Sequence, residues 1–187
     1  MNRGAARGWL LLGLASFVLL PWYLPQNLSL LGALPGVFGG SDTASGLVQA
    51  VRHHRPWLWI GLAGLLVAAA GVRLAEGRRQ GRLLAAGGSI GLVGLLLAGF
   101  IIGAQGWSFD VLGAMFGALP GGQLGIGIGG ALVLLALLML LGVGIARLGY
   151  FRGDPFVAGA VLASAALLLL FVALPVGKSL AGALVDD

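Results

Sequence analysis

Long runs of apolar residues, separated by short polar segments, extend over most of the chain. Each run is close to the length of about 20 residues that a helix needs to cross the hydrocarbon core of a membrane. The runs predict transmembrane helices at residues 9–24, 57–74, 83–104, 124–146 and 156–174. We therefore predict an all-α polytopic membrane protein with about five transmembrane helices and one or two short interfacial helices.

The first run follows Arg3 and Arg7, and a basic start of this kind is also typical of a cleavable signal peptide. No A-x-A cleavage site lies nearby. The residues Pro21, Trp22 and Tyr23 at its far end instead resemble the aromatic belt of a membrane interface. We therefore expect an uncleaved first transmembrane helix.

Two segments between the runs predict short helices that do not cross the membrane. Residues 44–51 predict one or two amphipathic turns in an external loop, with a helix that ends near Arg55. Apolar residues recur at three- and four-residue spacing in residues 108–120, which is the period of a helix with one apolar face. About a dozen residues cannot cross a bilayer, so this segment is either interfacial or re-entrant, and Pro120 and Gly121 stop it.

Composition supports lipid as the solvent of this chain. Hydrophobic residues make up 59% of the sequence and charged residues 9%, whereas soluble domains carry about 25% charged residues. The absence of cysteine excludes disulfides and thiolate metal sites within the chain. The net charge of +5 comes from basic clusters between apolar runs, which favours a role in membrane topology over nucleic-acid binding.

The basic residues also predict an orientation, because cytoplasmic segments of membrane proteins are enriched in Lys and Arg. With the N-terminus inside, eight arginines lie in cytoplasmic segments and three basic residues lie outside. The inner set is Arg3, Arg7, Arg73, Arg78, Arg79, Arg82, Arg147 and Arg152, and the outer set is Arg52, Arg55 and Lys178. We expect a multi-pass protein of a bacterial inner membrane, with a cytoplasmic N-terminus and a periplasmic C-terminus.

The interiors of the five runs contain no ionisable side chains. Buried ionisable residues usually mark ion paths and proton relays, so their absence argues against a pump or an ion-coupled transporter formed by this chain alone. The serines in the runs, Ser16, Ser89 and Ser164, share no run with a histidine, lysine or carboxylate that could activate them. We predict no catalytic, cofactor-binding or metal-binding residues, and no enzyme activity.

Two further patterns resemble a metal site and a dinucleotide-binding site. His53 and His54 are adjacent, so they point in different directions, and arginines flank them, which disfavours a metal site. Gly125, Gly127 and Gly130 satisfy G-x-G-x-x-G, but the strand, the βαβ unit and the later acidic residue of a dinucleotide fingerprint are missing.

Glycines at four-residue spacing predict close contacts between helices. Gly125 and Gly129 would share one face at the start of the fourth run, and Gly87 and Gly91 one face of the third. The alternative is chance, because the chain contains 35 glycines.

Several segments resemble a family of transporters. The sequence FVALPVGKSLAGALVDD at 171–187 resembles the start of the membrane core in binding-protein-dependent ABC transporter permeases, and the matching positions are Phe171, Pro175, Leu180, Ala183, Leu184 and Asp186. Upstream segments resemble the long N-terminal membrane extension of ferric-iron-type permeases. These segments are PWYLPQ at 21–26, GLVQAVRHHRPWL at 46–58, GAQGWSFDVLGAMFG at 103–117 and ARLGYFRGDPFVAGAV at 146–161.

The resemblance implies two regions: an extension with four transmembrane helices at 1–150, and a fifth helix with a periplasmic tail at 151–187 that resembles the start of a permease core. In that family two permease domains form the path, a periplasmic binding protein delivers the substrate, and ATPase subunits dock on a cytoplasmic loop with an E-A-A…G signature. This chain has no such loop.

The expected function is therefore the membrane-spanning part of an importer permease for ferric iron or a similar small solute, without the ATPase-docking loop. Its expected partners are the lipid bilayer, the remaining permease core, ATPase subunits and a periplasmic binding protein, with no nucleic acid and no cofactor. The alternative is a free-standing structural or scaffold membrane protein with no transport path.

A reporter fusion tests the predicted topology. Alkaline phosphatase fused after Asp187 should be active, because that enzyme folds only outside the cytoplasm and five crossings place residue 187 there. The same reporter fused after Gly77, in a predicted cytoplasmic turn, should be inactive. Cytoplasmic readout at Asp187 would contradict the five-helix topology.

Overall fold

The structure is a computed structural model that describes residues 3–24, 28–39, 42–119, 122–173, 175–177 and 179, and these residues are mostly helical. The α-helices in them are α1 (Arg3–Leu19), α2 (Leu30–Ala33), α3 (Gly46–Arg52), α4 (Trp59–Arg73), α5 (Arg78–Ile101), α6 (Asp110–Phe116), α7 (Ile128–Arg147) and α8 (Pro155–Leu168). Short 3₁₀ turns cover Leu34–Gly36, Pro56–Leu58 and Tyr150–Gly153, and a wider π-type turn covers Leu169–Ala173. A two-residue hairpin pairs β1 (Ile102–Gly103) with β2 (Gly106–Trp107).

In the described part of the chain, three helical segments are long and apolar enough to cross a membrane: residues 56–73, 78–101 and 128–147. The mostly helical fold is thus confirmed, whereas the count of about five crossings stays a prediction. The helices α1 and α8 are apolar but shorter than that length. The first ends at Leu19, not at Leu24 as predicted, because Pro21 cannot continue a helix and the chain becomes extended there.

Other helix limits also differ from the predicted runs. Pro56 opens a 3₁₀ turn, and α4 follows it at Trp59. The turn before α5 is tight, so this helix already begins at Arg78 and includes part of the arginine cluster. In contrast, α7 begins only at Ile128, because the preceding residues are extended.

Neighbouring helices are antiparallel. Where two helices approach closely, residue numbers increase along one helix and decrease along the other. Between α4 and α5, Gly61 is close to Leu95 and Gly71 to Leu83. Between α5 and α7, Gly81 is close to Gly144 and Gly91 to Leu137, and between α1 and α7, Gly13 is close to Ala136. Helices α1, α4, α5 and α7 form one bundle, and α8 packs mainly on α7.

The antiparallel order gives the bundle two distinct ends. At the arginine-rich end, α1, α5 and α8 begin, and α4 and α7 end. The opposite end, which we call the loop end, carries α3, α6, the β-hairpin and the segment after α1. The arginine-rich end therefore holds Arg7, Arg73, Arg78, Arg79, Arg82, Arg147 and Arg152, and the loop end holds Arg52 and Arg55.

Glycines allow α4 and α5 to touch through their backbones. A Cβ atom added to Gly64 would lie 2.6 Å from the Gly87 carbonyl oxygen and 2.6 Å from the Gly91 Cα. A Cβ atom on Gly87 would lie 2.5 Å from the Gly64 carbonyl oxygen. All three distances are shorter than a real Cβ atom tolerates, so α4 and α5 approach this closely because these positions are glycines, and the predicted packing role of Gly87 and Gly91 is confirmed.

The second predicted glycine pair, Gly125 and Gly129, does not lie against another helix. Gly129 lies in the first turn of α7, and a Cβ atom there would lie 2.7 Å from the carbonyl oxygens of Leu20 and Pro21. The close neighbour is therefore the extended segment after α1, not another helix. Gly125 precedes α7, and its carbonyl accepts a hydrogen bond from the Leu24 N–H at 2.8 Å.

The extended segment 20–24 is held on two sides by backbone hydrogen bonds. The Trp22 N–H donates to the Ala44 carbonyl at 3.0 Å, and the Trp22 carbonyl accepts from the Gly127 N–H at 2.9 Å. The Gly129 N–H donates to the Pro21 carbonyl at 2.9 Å. These bonds join three segments that are far apart in sequence and close the loop end of the bundle.

Both predicted short helices are present. α3 begins after Ser45, whose hydroxyl accepts from the Val48 N–H at 3.5 Å, and it ends at Arg52. α6 is shorter than the predicted segment 108–120 because Gly117, with a φ of 76°, ends it. The predicted stops Pro120 and Gly121 lie outside the described residues, and the choice between an interfacial and a re-entrant helix stays open.

We expect Gly64→Leu to destabilise the bundle. A leucine restores roughly 0.8 kcal/mol of helix propensity relative to glycine, but overpacking costs about 2–3 kcal/mol, so the clash with α5 decides the sign. The measurement is the unfolding free energy in detergent. The matched control is Gly8→Leu, because an added Cβ at Gly8 meets nothing within 4 Å. Equal stability of the two variants would contradict backbone contact between α4 and α5.

Candidate functional site

A polar cluster lies at the arginine-rich end, where α4, α5 and α7 meet. Gln80, in the first turn of α5, is buried, and its Oε1 accepts a hydrogen bond from Nη1 of Arg147. Nη2 of Arg147 lies 3.4 Å from a carboxylate oxygen of Glu76. The Gln80 Nε2 donates to the Leu74 carbonyl at 3.4 Å. One amide thus connects the end of α7 to the turn between α4 and α5.

A second cluster, which we call the loop-end cluster, consists of Tyr23, Gln49, His53, Arg55 and Trp57. Gln49 on α3 is completely buried, and its Oε1 accepts from Nη1 of Arg55. Its Nε2 donates to the Ala44 carbonyl at 3.5 Å, and its backbone carbonyl accepts from the Arg55 N–H at 3.3 Å. The start of α4 is therefore anchored to α3 through a neutral amide.

Arg55 is unusually buried for a cation. Only 7% of its surface is exposed, and its guanidinium carbon lies 4.6 Å from the ring centroid of Tyr23, in the geometry of a cation–π contact. Within the described ranges no carboxylate lies within 4.0 Å of it, since the ion pair found there joins Arg147 and Glu76. Among the described residues, the Gln49 amide and the Tyr23 ring are the groups that stabilise its charge.

The loop-end cluster contains buried polar atoms with incomplete hydrogen bonding. Nε of Arg55 and Nε2 of His53 have no hydrogen-bond partner among the described residues, whereas the Tyr23 hydroxyl and Nε1 of Trp57 interact with each other outside ideal hydrogen-bond geometry. Arg52 and His54 lie at the surface beside the cluster.

An apolar groove of about 840 Å³ opens next to the loop-end cluster. Val93, Leu97 and Phe100 of α5 form one wall, and Leu134 of α7 and Leu169 after α8 form the other. Trp22, Leu58, Ile126 and Pro175 also contribute, and Gln123 adds an amide at the loop end. Trp22 and Leu58 are chain neighbours of Tyr23 and Trp57, but no residue of the loop-end cluster lines the groove itself.

The residues considered from sequence do not come together as a reactive site. Ser16 is buried, Ser89 is half-buried, and Ser164 is exposed. His53 is half-buried, whereas His54 is exposed with a φ of 52°, so the two imidazoles have different surroundings. Over the described part of the chain, no three His, Cys, Asp or Glu residues are close enough together to hold a metal ion.

The G-x-G-x-x-G segment is occupied by the protein itself. A Cβ atom on Gly127 would lie 2.8 Å from the Pro21 carbonyl oxygen and 2.9 Å from the Tyr23 carbonyl oxygen. These carbonyls are hydrogen-bond acceptors and would repel a phosphate. The glycines therefore allow a close approach of two backbone segments and do not bind a nucleotide.

Sequence reasoning missed the two glutamines that organise the ends of the bundle. Gln49 and Gln80 are completely or almost completely buried, each with an arginine bonded to its Oε1. An amide in an otherwise apolar or basic segment was the signal for each of them. Arg55 and Arg147 were assigned to topology alone, although both are also structural.

Comparison with known proteins does not place this chain in a family. No protein-family model matches it, and neither the curated proteins nor the solved structures include a significant match. A functional proposal for this chain therefore depends on its own residues and their geometry.

A double-mutant cycle tests whether the Gln49 amide stabilises the buried charge of Arg55. Gln49→Leu should cost about 3 kcal/mol of unfolding free energy, because it leaves a buried cation without an acceptor. Arg55→Met in the same protein should recover about 1–2 kcal/mol of that loss. The control cycle pairs Gln49→Leu with Arg52→Met, since Arg52 is exposed, and its effects should add. Additive effects in the first cycle would contradict the pairing.

Proposed function

We propose that this chain is the N-terminal membrane portion of a binding-protein-dependent ABC importer permease, for ferric iron or a similar small solute. In this proposal it crosses a bacterial inner membrane five times, and the loop end faces the periplasm. The chain supports the transport path, and the path itself is formed by the permease core.

The observation that carries this proposal is the loose packing of α8. Its buried residues, Pro155, Ala158 and Gly159, all lie in its first two turns. Further along, Leu168 is 63% exposed and Phe171 is 75% exposed. The helix that resembles the first helix of a permease core is thus attached to the bundle at its start and offers the rest of its surface to other helices.

The distribution of arginines supports the proposed orientation. Besides Arg3, the first residue of α1, seven arginines belong to elements at the arginine-rich end, and two arginines belong to the loop end. An excess of arginine on one side is typical of the cytoplasmic face. The turn 149–153 at this end also exposes Tyr150, an aromatic residue suited to a membrane interface.

Helix lengths are compatible with five crossings. α1 has 17 residues, which is about 25 Å at 1.5 Å per residue, and the extended segment 20–24 lengthens it. α8 continues through the turn at Leu169–Ala173, so residues 155–173 together reach about 28 Å. Both lengths approach the roughly 30 Å of a bilayer core.

Co-purification from native membranes tests the transport role. Affinity-tagged chain, extracted in mild detergent, should retain an ABC-type ATPase subunit and a permease core, identified by mass spectrometry. Recovery of the chain without either component would contradict the proposal and would favour a free-standing scaffold protein.

A pair of leucine variants shows whether α8 provides the contact. Leu168→Gln should reduce the retained permease core at least fivefold, because the amide would disrupt an apolar helix interface. Leu11→Gln on α1 is the matched control, since Leu11 is 66% exposed and Leu168 is 63% exposed. Equal loss in both variants would argue against α8 as the docking helix.

A further inference from the structure

Four exposed arginines surround the turn between α4 and α5 at the arginine-rich end. Arg73 ends α4, and Arg78, Arg79 and Arg82 lie at the start of α5. All four residues are exposed. Positions 78 and 82 are four residues apart, so their side chains are neighbours on the helix surface. We call these four residues the turn arginines.

The described carboxylates at this end already have other partners. A carboxylate oxygen of Glu76 lies 3.4 Å from Nη2 of Arg147. Oδ1 of Asp154 accepts hydrogen bonds from the backbone N–H groups of Phe156 and Val157, at 2.8 and 3.3 Å, and so caps the start of α8. Within the described residues no carboxylate lies within 4.0 Å of a turn arginine. The positive charge of the turn arginines is therefore unpaired in this part of the chain.

Contacts between three helices place these charges at one level of the bundle. A Cβ atom on Gly71 of α4 would lie 3.0 Å from the Leu83 Cβ of α5. A Cβ atom on Gly81 of α5 would lie 3.1 Å from the Arg147 Cβ of α7. Gly71 lies two residues before the end of α4, and Arg147 is the last residue of α7. The ends of α4 and α7 are therefore level with the start of α5.

Helix lengths place this level at the surface of the membrane. The helical segment 56–73 has 18 residues and α7 has 20, so both are about 27–30 Å long at 1.5 Å per residue. That length matches the roughly 30 Å of a hydrocarbon core, so Arg73 and Arg147 lie where the core ends. α5 has 24 residues, or about 36 Å, and its first turn extends beyond that boundary. The turn arginines therefore lie at the level of the lipid head groups.

Charge and depth together select the kind of partner. The unpaired guanidinium groups require an anion, and a guanidinium can bind a phosphate through two parallel hydrogen bonds. An acidic protein would approach from the aqueous side, whereas Arg73 and Arg82 lie level with the edge of the hydrocarbon core. Basic clusters beside the cytoplasmic end of a transmembrane helix attract anionic lipids by about 1 kcal/mol per cation. The lipid phosphates are thus the anions that lie at the right depth.

The geometry points to a binding surface for anionic phospholipids at the turn arginines, with one lipid phosphate between Arg78 and Arg82. A phosphate there would also relieve the repulsion between like charges that are three and four residues apart on α5. The start of α5 has no acidic residue in its first turn and no side-chain cap, so the chain itself supplies no such anion there. This inference rests on the membrane placement proposed above, but not on the transport role.

Native mass spectrometry with defined lipids tests the surface. Detergent-purified protein is titrated with phosphatidylglycerol, which is anionic, with phosphatidylcholine, which has a phosphate but no net charge, and with inorganic phosphate. We expect phosphatidylglycerol to bind at least about tenfold more tightly than phosphatidylcholine, as two or more cations at about 1 kcal/mol each require. Equal affinity for the two lipids would overturn the proposal. Displacement of phosphatidylglycerol by an equal concentration of inorganic phosphate would also overturn it, because the site would then bind the free anion.

Two triple variants separate charge from folding. Replacing Arg78, Arg79 and Arg82 with glutamine removes the charge at the start of α5 and should abolish the preference for phosphatidylglycerol. Replacing the same three residues with lysine keeps the charge and should keep most of the preference. A triple glutamine variant that unfolds at the same temperature as the unchanged protein and still prefers phosphatidylglycerol tenfold would overturn the proposal.

A matched pair of single variants locates the surface. Arg82 and Arg52 are both exposed, but Arg52 lies at the loop end. Arg82→Gln should weaken phosphatidylglycerol about fivefold, which is the loss of roughly 1 kcal/mol for one cation near a lipid head group. Arg52→Gln should leave the affinity unchanged, and equal losses in the two variants would overturn the assignment to the turn arginines.

Co-purification with the triple glutamine variant distinguishes a lipid from a protein partner. Loss of an ATPase subunit from that variant, with the lipid preference kept, would assign the turn arginines to an acidic protein surface and overturn the lipid site. An unchanged chain that prefers phosphatidylglycerol but retains no ATPase subunit would support the lipid site and contradict the transport role alone.

Discussion

Backbone contact between α4, α5 and α7 at glycines is the constraint on which the bundle depends. In lipid there is little hydrophobic force to bring helices together, so close packing supplies most of the attraction. α5 lies between two neighbours and touches each through glycine. Gly87 and the backbone of Gly91 lie against Gly64 of α4, while a Cβ on Gly88 would lie 2.7 Å from the Leu137 carbonyl oxygen of α7. Wider spacing between α5 and α7 would separate Gln80 from Arg147 at the arginine-rich end.

At both ends of the bundle, an arginine side chain donates a hydrogen bond to a buried neutral amide. Each has a buried glutamine whose Oε1 accepts from an arginine, Gln80 with Arg147 and Gln49 with Arg55. A neutral amide loses less hydration on burial than a carboxylate does, so it can accept from a cation at lower cost. The arginine-rich end adds Glu76 at its surface, whereas the loop end has no described carboxylate near Arg55. The charge of Arg55 therefore depends on its contacts with Gln49 and Tyr23.

The sequence pattern predicted the elements better than their connections. The apolar runs and the spacing of Gly87 and Gly91 are local periodic patterns, which can be recognised in a single sequence. The end of α1 at Leu19 is different, because the extended segment after it is held by Ala44 and Gly127, which are distant along the chain. The same is true of Gln80, whose partner Arg147 lies in another helix. The groove could not be predicted at all, since it results from the direction that α8 takes.

The direction of α8 determines both the groove beside α5 and the apolar surface that α8 exposes beyond its start. Gly142 of α7 faces Gly159 of α8, where an added Cβ would lie 3.0 Å from the Gly159 Cα, so the helices touch closely near the start of α8. Beyond that contact α8 leaves α7, which opens the groove on its inner side and exposes Phe171 on the protein surface.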